Sequence, residues 1–264
     1  MSPTHPLTIP GMTTALAMHV HEQGDQHVSK TLREQGIWEA YETQLIVAAL
    51  QKAETLVDVG ANIGYYSVVG GSLLQGRGQV FAFEPEPKNF ALLQQNIALN
   101  SLDNVHAVPC GLAAVSRDSK IYLSESNFGD HQIYDRGEAR AACDIRLVRG
   151  DDFLADKIER IDVLKVDTQG AEYQVIAGLE QTLCNSLPNL TMIIEFWPFG
   201  LKKAGSHGHE LLDLLLSFGL PMAIIDHIDH RLIPCVESDL RKWVDELDTQ
   251  PENEGFLNLY FGKY

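Results

Sequence analysis

The segment TLVDVGANIGYYS, residues 55–67, constrains this chain more than any other: an apolar strand carrying Asp58 near its end, a turn holding Gly60 and Gly64, then a helix. Glycine lets backbone amides approach a ligand closely and take positive φ, and the start of the helix presents unpaired N–H groups. On its own such a turn is equally consistent with glycines required only for packing. Around it, short β-branched runs alternate with helical periodicity, which predicts a parallel sheet covered by helices on both faces. Strands are expected at 55–59, 79–84, 105–109, 161–167, 191–196, 221–226 and 256–261. Trp38, Tyr41, Leu45 and Ala49 recur at helical spacing before the first strand, and Phe90, Leu93 and Ile97 after the second.

Two further motifs extend the glycine turn. VFAFEPEP, residues 80–87, is a strand ending in Glu84, twenty residues after Gly64. A carboxylate at that place and distance can accept from both vicinal hydroxyls of a nucleoside ribose, whereas the plainer reading is a surface Glu at a strand end. IDVLKVDTQGAEYQVIAG, residues 161–178, ends another strand with Asp167 on the far side of the switch point where such sheets bind ligands. Asp167 and Glu172 also have structural readings, as a helix cap and as a partner of Lys165 or of backbone amides. The residues 60–64 interrupt the GxGxxG fingerprint, and nothing marks a pyrophosphate site, so a dinucleotide oxidoreductase is disfavoured.

Charge narrows the partners. Twenty basic residues stand against 36 acidic ones, a net of −16, so the mean field repels phosphate backbones and anionic lipid heads. A nucleic-acid or membrane-surface binder is not expected. The four cysteines, Cys110, Cys143, Cys184 and Cys235, form no CxxC pair and read as reduced thiols. No basic leader and no apolar run of membrane-spanning length occurs, which predicts a cytoplasmic protein.

DVGANIGYYS, FEPEP followed by NFALLQQNIALN, and LKVDTQGAE together resemble the FkbM family of S-adenosylmethionine-dependent methyltransferases. The resemblance covers residues 36–261, including GIWEAYETQLI before the first strand and IIEFWP with Glu195. It departs at Gln169, where the family more usually has Glu, which removes a proton-transfer role from that position. It implies a Rossmann-like class I methyltransferase fold: a seven-stranded, mostly parallel sheet with helices on both faces and a terminal antiparallel strand. An N-terminal cap, residues 1–36, would precede a methyltransferase domain at 37–264. The implied activity is O-methylation of a hydroxyl on a small molecule or saccharide. N- or carboxyl-methylation, or cofactor binding without catalysis, are the alternatives. By the same resemblance Asp58, Gly60, Asn62 and Gly64 face the methionine part of S-adenosylmethionine and Glu84 the ribose. Pro85, Cys110 and Gly111 flank the adenine.

Methyl transfer is an in-line displacement, and an unactivated alcohol must lose its proton as the new bond forms. The candidates near the methyl position are Asp167, Glu172, Glu195 and His131. His131 leads because an unperturbed imidazole titrates near neutrality, against a plainer surface or hydrogen-bonding role. No metal site is expected, since Asp226, His227, Asp229 and His230 read as turn formers as readily as ligands. Two segments interrupt the βα rhythm: a polar insertion at 116–150 that contains His131, and PFGLKKAGSHGH, residues 198–209, which reads as a mobile flap. Trp197 and Phe199 can stack on a sugar or pack in the core.

Overall fold

The computed structural model describes residues 3–135, 140–250 and 252–263. Its central sheet has eight strands: β1 (Thr55–Val59), β2 (Gln79–Phe83), β3 (Val105–Val108), β4 (Val163–Val166), β5 (Thr191–Phe196), β6 (Met222–Asp226), β7 (Arg231–Pro234) and β8 (Leu257–Phe261). They lie side by side in the order β7-β6-β8-β5-β4-β1-β2-β3. Strands β1 to β5 are mutually parallel, and β8 inserts antiparallel between β5 and β6. All seven expected strands are present. The eighth, β7, is the return arm of the 226–234 hairpin, which pairs antiparallel with β6 at the sheet edge and raises the expected count from seven.

Both faces of the sheet are covered, so its central strands are largely apolar, with Asp58, Lys165 and Glu195 as charged exceptions. One face receives α1 (Val28–Gln35), α2 (Ala40–Leu50), α3 (Tyr65–Leu74) and α4 (Pro87–Leu99). The other receives α5 (Gly150–Leu154), α6 (Glu172–Gly178), α7 (Glu180–Ser186), α8 (Pro198–Lys203), α9 (Gly208–Ser217) and α10 (Glu237–Asp248). Side chains alternate between these faces along each strand. In β4, Leu164 and Val166 enter the second core while Val163 enters the first. Lys165 therefore points with Val163 toward the α2 side, where a cation in an apolar layer must find a charge.

The N-terminal segment pairs His5–Pro6 with Ala17–Met18 as a short ribbon, and its Met18 and Leu32 are buried in the α2 to α4 core. The polar insertion joins the preceding Gly111–Ala113 in a three-stranded sheet, in the order Gly111–Ala113, Ala142–Arg149 and Arg117–Tyr122. Residues 136–139 of the insertion lie outside the described residues. The segment expected as a flap runs instead as α8, a turn and the start of α9. Pro198 opens α8 at a position that tolerates a missing N–H, and Leu201 anchors it as a fully buried side chain. Among the described residues no helix is long and apolar enough to cross a membrane.

Candidate active site

The carboxyl ends of β1, β2, β4 and β5 open into a cavity of about 560 Å³. Residues 127–131 of the insertion and His27 and Val28 form its roof. These segments hold one another: the Gln26 N–H donates to the Ser126 carbonyl (2.9 Å), and the His21 ring packs edge-on against Phe128 with centroids 4.7 Å apart. Asn89 links both, bonding His21 Nε2 through Oδ1 (2.8 Å) and donating from Nδ2 to the Phe128 carbonyl (3.1 Å).

On the β2 side the cavity suits a nucleoside. The Gly60 and Ala61 N–H groups both donate to the Phe83 carbonyl (3.0 Å each), tying the first turn to the end of β2. Gly60 has φ 80°, and a Cβ there would overlap the Asp167 carbonyl, so only glycine fits between β1 and β4. The Asn62 N–H donates to Glu84 Oε2 and the Glu86 N–H to Glu84 Oε1, each at 2.8 Å. Burial pushes the Glu84 carboxyl up to about 8, against the pull of those two N–H bonds. Each of its oxygens accepts one backbone bond and has a second lone pair, enough for two vicinal hydroxyls. Asn62 Oδ1 is a buried acceptor with no protein donor, a match for the ammonium of a bound amino acid. Pro85, Gly111, Leu112, Ile121, Ile133 and Leu147 supply an apolar wall for a flat ring. Asp58 also lines the cavity, accepts from Ser67 Oγ (2.6 Å), and is pushed up to about 6 by burial. These residues fit the adenosyl cofactor that the resemblance implies.

On the β4 and β5 side the cavity is acidic. Gln169, in left-handed backbone at φ 52°, donates from Nε2 to Asp167 Oδ1 (2.8 Å) and to Glu195 Oε2 (2.9 Å), bridging two cavity carboxylates. Burial, followed by the charges of Asp167 and Glu172, holds the Glu195 carboxyl well above the usual carboxylate range. Lys165 Nζ lies 2.8 Å from Glu42 Oε1 and 3.6 Å from Asp167 Oδ2, with Lys165 and Glu42 both buried. Glu42 Oε2 accepts from Asn258 Nδ2 (2.8 Å). The Tyr66 hydroxyl donates to Glu39 Oε2 (2.8 Å) and approaches Glu42 Oε1 at 3.4 Å. Glu39, Tyr66, Lys165 and Gln169 all line the cavity and were absent from the expected site.

The remaining candidates fall in different places. Asp58, Gly60, Asn62, Glu84, Pro85, Gly111, His131, Asp167 and Glu195 line the cavity, whereas Gly64, Cys110 and Glu172 do not. Gly64 opens α3 at φ 91°, and a Cβ there would meet the Leu93 side chain at 2.5 Å, so its constraint is packing. Cys110 is buried in the core, and burial pushes its thiol up to about 11. Glu172 is fully buried and accepts from the Thr168 N–H (3.1 Å), the Thr168 hydroxyl (3.0 Å) and the Gly170 N–H (3.0 Å). It fixes the turn that presents Asp167 and Gln169. His131 reaches the cavity, but its Nδ1 accepts from the Ser124 N–H (3.0 Å). Burial, then the nearby His21 and Arg140, push the ring down to about 4. A neutral ring accepting at Nδ1 carries its hydrogen on Nε2 and is a donor to the cavity rather than the near-neutral base the sequence suggested.

One group of metal-ligand type occurs among the described residues: Glu39, Glu42 and His227 place one ligand atom each within 4.8 Å of one another. The Lys165 ammonium already supplies a cation to Glu42 there.

The sequence pattern of the methyltransferase FkbM domain matches residues 58–220. The chain is 29% identical to methyltransferase sdnD of Sordaria araneosa over 188 residues, covering 59% of this chain and 71% of that protein. It is 28% identical to the hexuronic acid methyltransferase AglP of Haloferax volcanii over 142 residues, covering 53% of this chain and 56% of AglP. With the 2-O-methyltransferase NoeI of Sinorhizobium fredii it shares 29% identity over 195 residues, covering 66% and 76%. Glu39, Glu42, His227 and Asn258 all lie outside the matched 58–220 span.

Proposed function

The chain belongs to the FkbM methyltransferase family of S-adenosylmethionine-dependent enzymes, and from that premise we propose that it methylates a hydroxyl oxygen of a small molecule or saccharide. The observation that carries this reading is the division of the cavity across β1, with a nucleoside-type site at Glu84 and linked carboxylates at Asp167 and Glu195. When bound, the cofactor supplies an electrophilic methyl group on a sulfonium. Glu84 and the backbone around Gly60 hold the nucleoside, and Asn62 takes the amino-acid end. Asp167, fixed by Gln169 and Lys165, orients the acceptor's polar groups. Water exclusion by the roof strengthens each of these contacts.

One relative, NoeI, is named for 2-O-methylation and supports an oxygen acceptor, and AglP, named for a hexuronic acid, supports a saccharide. The acidic lining disfavours an acceptor with exposed phosphates, and the net charge of −16 disfavours nucleic acid; a cytoplasmic location is part of the same proposal. The test is mass spectrometry of hydroxylated small molecules and neutral methyl glycosides incubated with enzyme and S-adenosylmethionine. Gain of a methyl group on oxygen is the expected result. Methylation confined to nitrogen or carboxylate acceptors overturns the assignment, as does cofactor binding with no S-adenosylhomocysteine released from any acceptor class.

A further inference from the structure

Glu39 stands at the N-cap of α2 in left-handed backbone, φ 42° and ψ 63°, a conformation uncommon for a residue with a long side chain. A carboxylate at that position can cap the helix, yet Glu39 makes no side-chain cap bond. Its side chain turns instead into the cavity and accepts from the Tyr66 hydroxyl through Oε2. Unusual backbone that carries a charged group into a ligand cavity, in place of the local bond open to it, is the pattern of a functional constraint.

Asp167, Glu195, Glu42 and Asp58 are each committed to other groups. Asp167 has the Gln169 amide on one oxygen and Lys165 near the other. Glu195 takes the second Gln169 bond, and burial foremost, then Asp167 and Glu172, holds its carboxyl well above the usual carboxylate range. Glu42 is bound by Lys165 and Asn258 and does not line the cavity. Asp58 is held by Ser67. We propose that Glu39, supplied from outside the family-matched span, is the group that receives the proton of the acceptor hydroxyl.

The step balances without a further reagent. The acceptor oxygen bonds the methyl carbon as the carbon–sulfur bond breaks and its electron pair passes to sulfur; the hydroxyl proton passes to Glu39. The groups facing Glu39 are Glu42 on its own helix, Tyr65 and Tyr66 on α3, Lys165 and Asp167 at β4, and His227 beyond β6. Burial foremost, then Glu42, pushes its carboxyl up to about 8, with Lys165 and the Tyr66 hydroxyl acting in the opposite sense. A carboxylate so placed is a stronger base than an exposed one and can still ionise at working pH. Tyr66, through its hydroxyl, is a positioning residue.

This inference rests on the hydroxyl-acceptor reading, so the experiment has one arm that needs no acceptor. Calorimetry with S-adenosylmethionine and with S-adenosylhomocysteine, from pH 6.5 to 9.5, gives an affinity ratio in which the shared adenosine and amino-acid contacts cancel. In the wild type the ratio is expected to shift toward the sulfonium by about fivefold as pH rises through the Glu39 ionisation. Glu39→Gln should be flat, and Tyr66→Phe, which removes a donor to the carboxylate, should move the rise to higher pH. Tyr66→Phe carries the same test if Glu39→Gln does not fold. A Glu39→Gln protein that keeps the wild-type rise overturns the proposal and passes the role to Glu195. The second arm measures S-adenosylhomocysteine release from neutral methyl glycosides. Glu39→Gln should lower kcat at saturating cofactor roughly 10²- to 10³-fold, well beyond its about fivefold effect on S-adenosylmethionine affinity, and abolish the rise of kcat with pH. Wild-type kcat retained in Glu39→Gln overturns the proposal. Failure of the whole glycoside panel with wild-type enzyme counts against the acceptor class, while the affinity ratio decides Glu39 separately.

Discussion

The two ends of the cavity are built differently. The nucleoside end is assembled from short stretches around residues 58–62, 84–86 and 111–112; its Glu84 carboxylate is stabilised by backbone N–H groups within its own turns, and Asp58 by the neighbouring Ser67. The acidic end draws Glu39, Tyr66, Lys165, Asp167, Gln169 and Glu195 from five separate elements, and its charges are balanced by side chains. Backbone donors come with the fold and survive most substitutions. Side-chain counter-charges exist only while every partner is present, so the acidic end is expected to be the more fragile and the more variable.

The sharpest way to break this comparison is to remove the Lys165 cation. Lys165→Met leaves Glu42 buried beside uncompensated carboxylates and should cost about 3–5 kcal/mol, read by urea denaturation. A variant as stable as wild type would mean that the acidic end does not depend on Lys165. Next in size, Glu84→Ala should weaken S-adenosylmethionine and S-adenosylhomocysteine alike by about 10²-fold, two charge-assisted bonds less what water restores. An effect on one ligand only would move Glu84 away from the ribose.

The pH dependence of the nucleoside end follows from the raised Glu84 carboxyl. Two ribose hydroxyls donating to it favour the ionised form, so S-adenosylhomocysteine affinity should rise with pH and level off above about 8. The limiting slope below that value is about tenfold per pH unit. The free protein should respond oppositely. A folded-state pKa raised above 4.5 contributes stability that is present below 4.5 and is lost as pH rises through about 8. Denaturation with and without ligand at pH 5 and 9 separates the two signs. The smallest effect belongs to His131. His131→Ala should lower turnover by less than about tenfold and leave the pH profile in place, because its acceptor nitrogen is already bonded to Ser124. A lost ionisation near neutrality would restore it as the base.

The nucleoside end was largely legible because its motifs are contiguous and its strands, buried on both faces, announce themselves as apolar runs. DHIDHRLIP, residues 226–234, reads as a tight hairpin, and the structure forms it, but β7 was not legible as an eighth strand of the sheet, since RLIP is short, mostly exposed and ends in proline at an edge. Gly64 was legible as a glycine that could not be replaced, but the cause is packing against Leu93, 29 positions along the chain, rather than a ligand. Glu39 and Glu42 gave no local sign, because a Glu at the start of a helix looks the same in sequence whether it meets solvent or, as Glu42 does, is fully buried. The available signal was Lys165 inside VLKV: a lysine in a strand covered on both faces requires a buried acid, and α2 is the element that packs there. His131 misled because its residue type suggests a titration that its surroundings shift away.

The Lys165–Glu42 contact also bears on how the sequence can change over time. The two side chains are 2% and 0% exposed, and Asn258 completes the carboxylate's bonds. A single replacement leaves a stranded charge, whereas a joint replacement by well-packed neutral residues removes the need for all three. Positions 42, 165 and 258 should therefore substitute in concert among descendants of this chain, and grafting the N-terminal segment of a relative onto residues 58–264, which keep Lys165 and Asn258, should succeed only when that segment supplies a carboxylate where Glu42 stands.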